Sequence, residues 1–141
     1  MQTKPTLDSA DAQTLAAGCL ESASRLGVSV SIAVVDEAGK LIHFIRMDGA
    51  RAYTADLAIR KAQSSAAVGV PTSMLEALAR ERPMQDVIAL RGGIPVLFEG
   101  KSAGAVGVSG AKPEIDDAIA TAGIAAMTAL NLANDGDRAL D

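Results

Sequence analysis

The alternation of apolar and polar positions divides the chain into eight elements. Ala12, Leu15, Ala16, Cys19, Leu20, Ala23 and Leu26 recur at helical spacing and predict a first helix with one apolar stripe. Asp8 or Ser9 caps its start, and Gly27 stops it. The run VSVSIAVVD (28–36) alternates at first and then becomes wholly apolar. Asp36-Glu37-Ala38-Gly39 supplies turn residues, and KLIHFIRM (40–47) returns as an antiparallel partner strand.

Tyr53 to Gly69 regains helical spacing, with Ala55, Ile59, Ala62 and Ala66 as a small-residue ridge, and Pro71 breaks it. Ser73 followed by Glu76 makes a capping-box pattern that opens a short helix ending near Pro83. After Arg91-Gly92-Gly93, IPVLFE (94–99), a Gly100-Lys101 turn and GAVGVS (104–109) predict a second hairpin. Pro113 suits the first position of a last helix, where Glu114, Asp116 and Asp117 complement the dipole. That helix is expected to bury Ile115, Ala118, Ile119, Ala122, Ala126, Ala129 and Leu130, and to fray into a polar tail over 134–141. The order α, hairpin, α, α, hairpin, α predicts a single α/β (α+β) domain with a largely antiparallel sheet and helices on its faces.

Composition narrows the core and the partners. Apolar residues make up 49% of the 141 positions but aromatics only 2%, so the core rests on Ala, Val, Ile and Leu. Aromatic platforms for single-stranded nucleic acid are absent, and a net charge of −4 argues against any phosphate-backbone partner. One cysteine, Cys19, rules out an internal disulfide framework or zinc cluster within one chain, and its place on the apolar stripe marks it as core. No uninterrupted apolar run reaches membrane-spanning length and no Lys/Arg-led signal segment opens the chain. A cytoplasmic protein with no membrane partner is the default expectation, with secretion after signal-peptide removal left open.

The scarce reactive side chains gather in HFIRMDGARAY (43–53), which holds the only histidine and the only tyrosine. A regular strand over 40–47 puts Leu41, His43, Ile45 and Met47 on one face and Ile42, Phe44 and Arg46 on the other. His43 and Arg46 therefore do not merge into one site. His43 is either a packed residue or a haem-iron ligand. Arg46, Asp48 and Arg51 read either as a solvated turn held by an Arg–Asp pair or as a rim that grips a carboxylate or phosphate, with Gly49 taking a positive φ. Lys61 borders the alanine ridge. It can reach solvent, pair with Asp48 or serve as a base of lowered pKa.

Gly92, Gly93 and Pro95 begin one strand, and Gly107, Ser109 and Gly110 end another just before a helix. Such ends can hold an anion or admit a close backbone approach. Their spacing is neither GxGxxG nor a P-loop, which argues against a nucleotide.

Four stretches in this order carry a resemblance: IAVVDEAGKLIHFIRMDGA (32–50), AIRKAQSSAAVGVPT (58–72), GGIPV (92–96) and GAVGVSG (104–110) before an acidic helix start. Over about residues 7–133 the chain resembles the GlcG/HbpS family, which includes glycolate-utilisation accessory proteins, PduO-type C-terminal domains and haem-binding sensors. The resemblance implies a profilin-like central antiparallel sheet of about five strands with helices on both sides, and assembly into homo-oligomers. It departs at Ile94, where some haem-binding members carry threonine after Gly-Gly, and at His43, which stands where members are often apolar.

Three functions follow. The first is a small-ligand-binding accessory protein of a catabolic pathway, with haem as the candidate ligand. Its candidate binding residues are Arg46, Asp48, Gly49, Arg51, Lys61, Gly92, Gly93, Pro95, Gly107, Ser109 and Gly110, with His43 as the iron donor. The second is an enzyme acting on a small carboxylated or aldehyde intermediate of aromatic or hydroxy-acid catabolism. In it Arg46 and Arg51 hold the carboxylate, and Asp48, Lys61 or His43 moves protons. The third is a structural module built on the small-residue helices.

Overall fold

The computed structural model describes residues 1–82 and 86–140. Its elements are α1 (Ser9–Leu26), β1 (Ser31–Asp36), β2 (Leu41–Arg46), α2 (Tyr53–Val68), α3 (Thr72–Glu81), β3 (Gly93–Phe98), β4 (Lys101–Ser109) and α4 (Pro113–Leu140). The strands form one antiparallel sheet in the order β2-β1-β4-β3.

Both faces of the central strands are covered. On one side Ile32 and Val34 of β1 join Val106 and Val108 of β4 and pack with Leu15 and Cys19 of α1 and Ile119 and Met127 of α4. On the other side Ala33, Val35 and Ala105 meet Ala58, Ala62 and Ala66 of α2. A strand buried on both faces has no polar positions to alternate, which is why the second half of VSVSIAVVD is continuous in apolar residues.

The residues that carry α2 on the sheet are small because the helix backbone itself touches the strands. A Cβ at Gly107 would collide with Ala58 O and lie 2.6 Å from Ala62 N. The α1–α4 contact follows the same rule, since a Cβ at Gly18 would lie 2.8 Å from Ala126 Cβ, and one at Gly123 would meet Cys19 Sγ. Cys19 is fully buried there, and burial pushes its thiol up to about 12, as expected of a core residue.

Several expectations are corrected. The described residues form four strands rather than about five, and residues 87–90 run as a loop in which Ile88 N–H donates to Ser64 Oγ (2.8 Å). The Ser73–Glu76 capping box does not form. α3 starts one residue earlier, with Pro71 at the N-cap, so Ser73 already lies inside the first turn. The expected end of that helix at Pro83 lies outside the described residues.

The buried stripe of α4 is rotated from the one expected. Asp116, Ile119, Ala120, Gly123 and Met127 face inward, while Ala118, Ala126, Ala129 and Leu130 are exposed. The helix also continues past Asn134 to Leu140. Leu26, the last residue of α1, turns out to solvent, and Gly27 closes that helix in the left-handed conformation (φ 71°).

The backbone contact at Gly107 makes a direct prediction. Gly107→Ala has to lift α2 from the sheet, and we expect a loss of about 2 kcal/mol or more in urea unfolding. An unchanged midpoint would mean that the helix is not seated on the strands as described.

Candidate functional site

One end of the sheet collects most of the candidate residues. Ser31 at the start of β1 is paired with Arg46 at the end of β2 and with Ser109 at the end of β4. Directly opposed residues share a face, so Arg46, Ser31 and Ser109 lie side by side across three strands, on the face that α2 covers. Thr54, in the first turn of α2, closes this row from above. Its hydroxyl lies 2.9 Å from Ser31 Oγ and donates to Arg51 O at 2.6 Å.

Ser31, Thr54 and Ser109 are buried, whereas Arg46, Asp48, Gly49 and Arg51 are exposed. Gly49 has the expected positive φ of 91°. The Arg–Asp pair that would hold a solvated turn is not formed. Among the described residues, neither guanidinium nor the Asp48 carboxylate enters an ion pair or a side-chain hydrogen bond. The backbone holds the turn instead, through Ala50 N–H donating to Met47 O (3.1 Å) and Thr54 N–H to Arg51 O (3.0 Å).

A sealed ion pair supports this end from behind. Lys61 neither reaches solvent nor pairs with Asp48. Its side chain is 4% exposed, its ammonium donates to Val108 O (2.9 Å), and it lies 3.3 Å from Asp116 Oδ2, also 4% exposed. Asp116 Oδ1 accepts from Ala111 N–H (3.0 Å). Burial lowers the pKa of Lys61, opposed by the Asp116 charge, and raises that of Asp116, opposed by Lys61 and the Ala111 and Gly110 amides. The pair thus ties the middle of α2 to the turn between β4 and α4.

Asp117 ties in the third segment. It accepts from Gly92 N–H (2.8 Å) and lies 4.0 Å from Arg91. Only glycine fits at position 92, where φ is 124° and a Cβ would collide with Val108 O and sit 3.0 Å from Lys61 Nζ. Gly93 exchanges hydrogen bonds with the Thr72 hydroxyl, and Pro95 is buried on the edge strand β3. Gly92, Gly93, Pro95, Gly107 and Lys61 are therefore frame, while Arg46, Asp48, Gly49 and Arg51 form the exposed surface beside the buried Ser109. Gly110 joins the two, because its amide faces Asp116 directly after Ser109.

His43 stands apart, as its strand parity predicts. It pairs with Val34, on the face toward α1 and α4, and is half-buried. The exposed arginines suit the carboxylates of a ligand such as haem, but the only imidazole lies through the sheet from them. The described residues thus fit haem at its carboxylates and not at its iron. A separate apolar groove of about 520 Å³, between Leu7, Val96, Phe98 and Met127, holds none of the candidate residues.

Sequence reasoning missed Ser31, Thr54, Asp116 and Asp117 as parts of this arrangement. Asp116 carried a usable signal, since it falls one turn before Ile119 and Ala120 on an apolar stripe, and a buried carboxylate needs a buried cation. Ser31 and Thr54 carried none, because their meeting depends on where α2 crosses the sheet.

The chain matches the family described as haem degrading protein, HbpS-like, over residues 7–125. It is 35% identical to Protein GlcG of Escherichia coli strain K12 over 114 residues, covering 77% of this chain and 85% of that protein. Among solved structures, Klebsiella pneumoniae protein ORFY superposes with a TM-score of 0.87 at 30% identity, covering 92% of this chain and 95% of the other. A double mutant of Streptomyces reticuli HbpS gives 0.84 at 32% identity, with 89% of each chain covered. A PduOC–haem complex gives 0.79 at 28% identity, covering 86% and 94%.

The ion pair generates its own prediction. Lys61→Met leaves a buried carboxylate without its cation and lowers stability by about 3–5 kcal/mol near neutral pH. Adding Asp116→Asn, which keeps an acceptor for Ala111 N–H, restores at least half of that loss. Without Lys61 the Asp116 carboxyl rises further, so the folded form holds its proton to higher pH than the unfolded chain. Stability then falls as pH rises through that window, and the single variant's deficit is smaller at about pH 5 than at about pH 8. Denaturant midpoints at the two pH values check both statements.

Proposed function

The chain belongs to the HbpS-like family, and from that membership we propose that it is a small-ligand-binding accessory protein of a catabolic pathway, taking a carboxylate-bearing ligand at the Arg46–Arg51 end of the sheet. The observation that carries the reading is the state of the two arginines. Both are exposed at the end of a buried polar row, and neither is neutralised by a carboxylate among the described residues. A guanidinium offers two parallel donors in a fork that matches a carboxylate.

Haem, a dicarboxylate, is the candidate ligand, supported by the haem complex of a PduOC neighbour. The second reading, an enzyme in which Asp48, Lys61 or His43 moves protons, is less well supported, because the Lys61 ammonium is sealed and already paired and His43 lies on the opposite face of the sheet. Homo-oligomeric assembly belongs to the same proposal, supported by Leu41 on β2 and Leu97 and Phe98 on β3, large apolar side chains exposed on the two outer strands.

Titration with haemin, followed in the Soret band, tests the reading. The wild-type chain gives a saturable change, and Arg46→Ala with Arg51→Ala weakens binding about tenfold or more. His43→Ala binds like the wild type. Absence of saturation overturns the reading, as does wild-type affinity in the double arginine variant. A loss confined to His43→Ala moves the site to the other face of the sheet and overturns it equally.

A further inference from the structure

The buried row beneath the arginines contains one hydroxyl with an unused proton. Thr54 has a single hydroxyl proton, and it goes to Arg51 O at 2.6 Å. In the 2.9 Å contact between Ser31 and Thr54 the donor must therefore be Ser31. Both protons are committed within the protein. Ser109, the next residue of the row, is 2% exposed, yet among the described residues its hydroxyl has no hydrogen-bond partner. Nor is that oxygen sealed, since among the described residues the one fully buried side-chain oxygen without a partner is Glu37 Oε2. What surface Ser109 retains includes its hydroxyl.

A buried donor left without an acceptor is unfavourable unless something outside the chain completes it. Its backbone is also held firmly. Val108 O accepts from Lys61, Gly92 O accepts from Val108 N–H, and the Gly110 and Ala111 amides face Asp116. The sealed ion pair thus fixes the position of the one unused proton.

We infer that the Ser109 hydroxyl is the inner contact of the ligand site, donating to one carboxylate oxygen of the ligand while Arg46, two strands away in the same row, meets the carboxylate from the rim. This rests on the proposed carboxylate-binding reading and adds a specificity determinant to it. With only 2% of Ser109 exposed, its hydroxyl can be met by a slim terminal group and not by a ring. The ligand class is accordingly a carboxylate on a flexible arm. For haem that means a propionate pointing inward with the macrocycle outside.

Haemin and haemin dimethyl ester distinguish the parts, because the ester keeps the ring and removes the anionic acceptor. Ser109→Ala removes the donor with little change in volume, and thermal unfolding verifies that the variant is folded. We expect Ser109→Ala to bind haemin about tenfold more weakly than the wild type, the scale of a hydrogen bond to a charged group, and to bind the dimethyl ester within about twofold of it. If Ser109→Ala binds haemin like the wild type while the Arg46/Arg51 double variant has lost it, the inference falls and the carboxylate reading stands. Equal weakening toward haemin and its ester also overturns the inference, since the hydroxyl would then not be meeting a carboxylate. If wild-type protein fails to saturate with haemin, the reading itself falls and this inference with it.

Discussion

The backbone of α2 lies directly on the backbone of the sheet, and most other features of the molecule are consequences of that contact. It is possible only where the strand beneath has no side chain, as at Gly107 against Ala58 and Ala62. Once the helix is this low, Lys61 cannot escape along it to solvent, and its stem is pressed over Gly92 toward Val108 and Asp116. A buried ammonium then requires a buried carboxylate, and α4 must begin with Asp116 turned inward. The order of dependence runs from glycine to helix height, from helix height to buried charge, and from buried charge to the placement of the next helix.

The pair adds little net stability in the usual sense, because desolvation of both ions offsets most of their attraction. Its effect is positional. It joins α2, the Gly92 segment and the β4–α4 turn at one point, and each partner tolerates few alternatives without leaving the other unpaired. That rigidity lies directly behind the exposed arginines. A binding surface held by a fixed frame loses little conformational entropy when a ligand arrives.

The sequence made the elements legible and left their mutual placement largely unread. Both hairpins, the caps at Asp8 and Gly27 and the opposite facing of His43 and Arg46 follow from periodicity and local chemistry, and all are present. The α4 stripe was misjudged because alanine gives a weak signal: Ala118, Ala126 and Ala129 are as tolerable outside as inside, so the apolar pattern alone did not fix the helix rotation. Asp116 did fix it, but only a reader who already placed Lys61 in the interior would use a carboxylate as a core marker. The Ser31–Thr54 contact joins residues 23 apart through a helix crossing, and no local pattern encodes that.

These two kinds of residue divide the site by how freely they can change. Substitution at Gly92, Gly107, Lys61 or Asp116 disturbs the frame, since each is fitted to a neighbour on another element. The Arg46, Asp48 and Arg51 side chains make no ion pair or hydrogen bond among the described residues, so their replacement alters what the surface attracts more than it alters the frame. Ser109 stands between the two groups: its neighbours along the backbone belong to the frame, and its buried hydroxyl has no hydrogen-bond partner among the described residues. A fold organised this way can keep one architecture while its rim chemistry drifts. A haem complex of one relative therefore does not by itself carry its ligand over to this chain. The same separation sets Arg46, at the exposed end of β2, apart from the lone histidine before it, which faces the opposite side of the sheet.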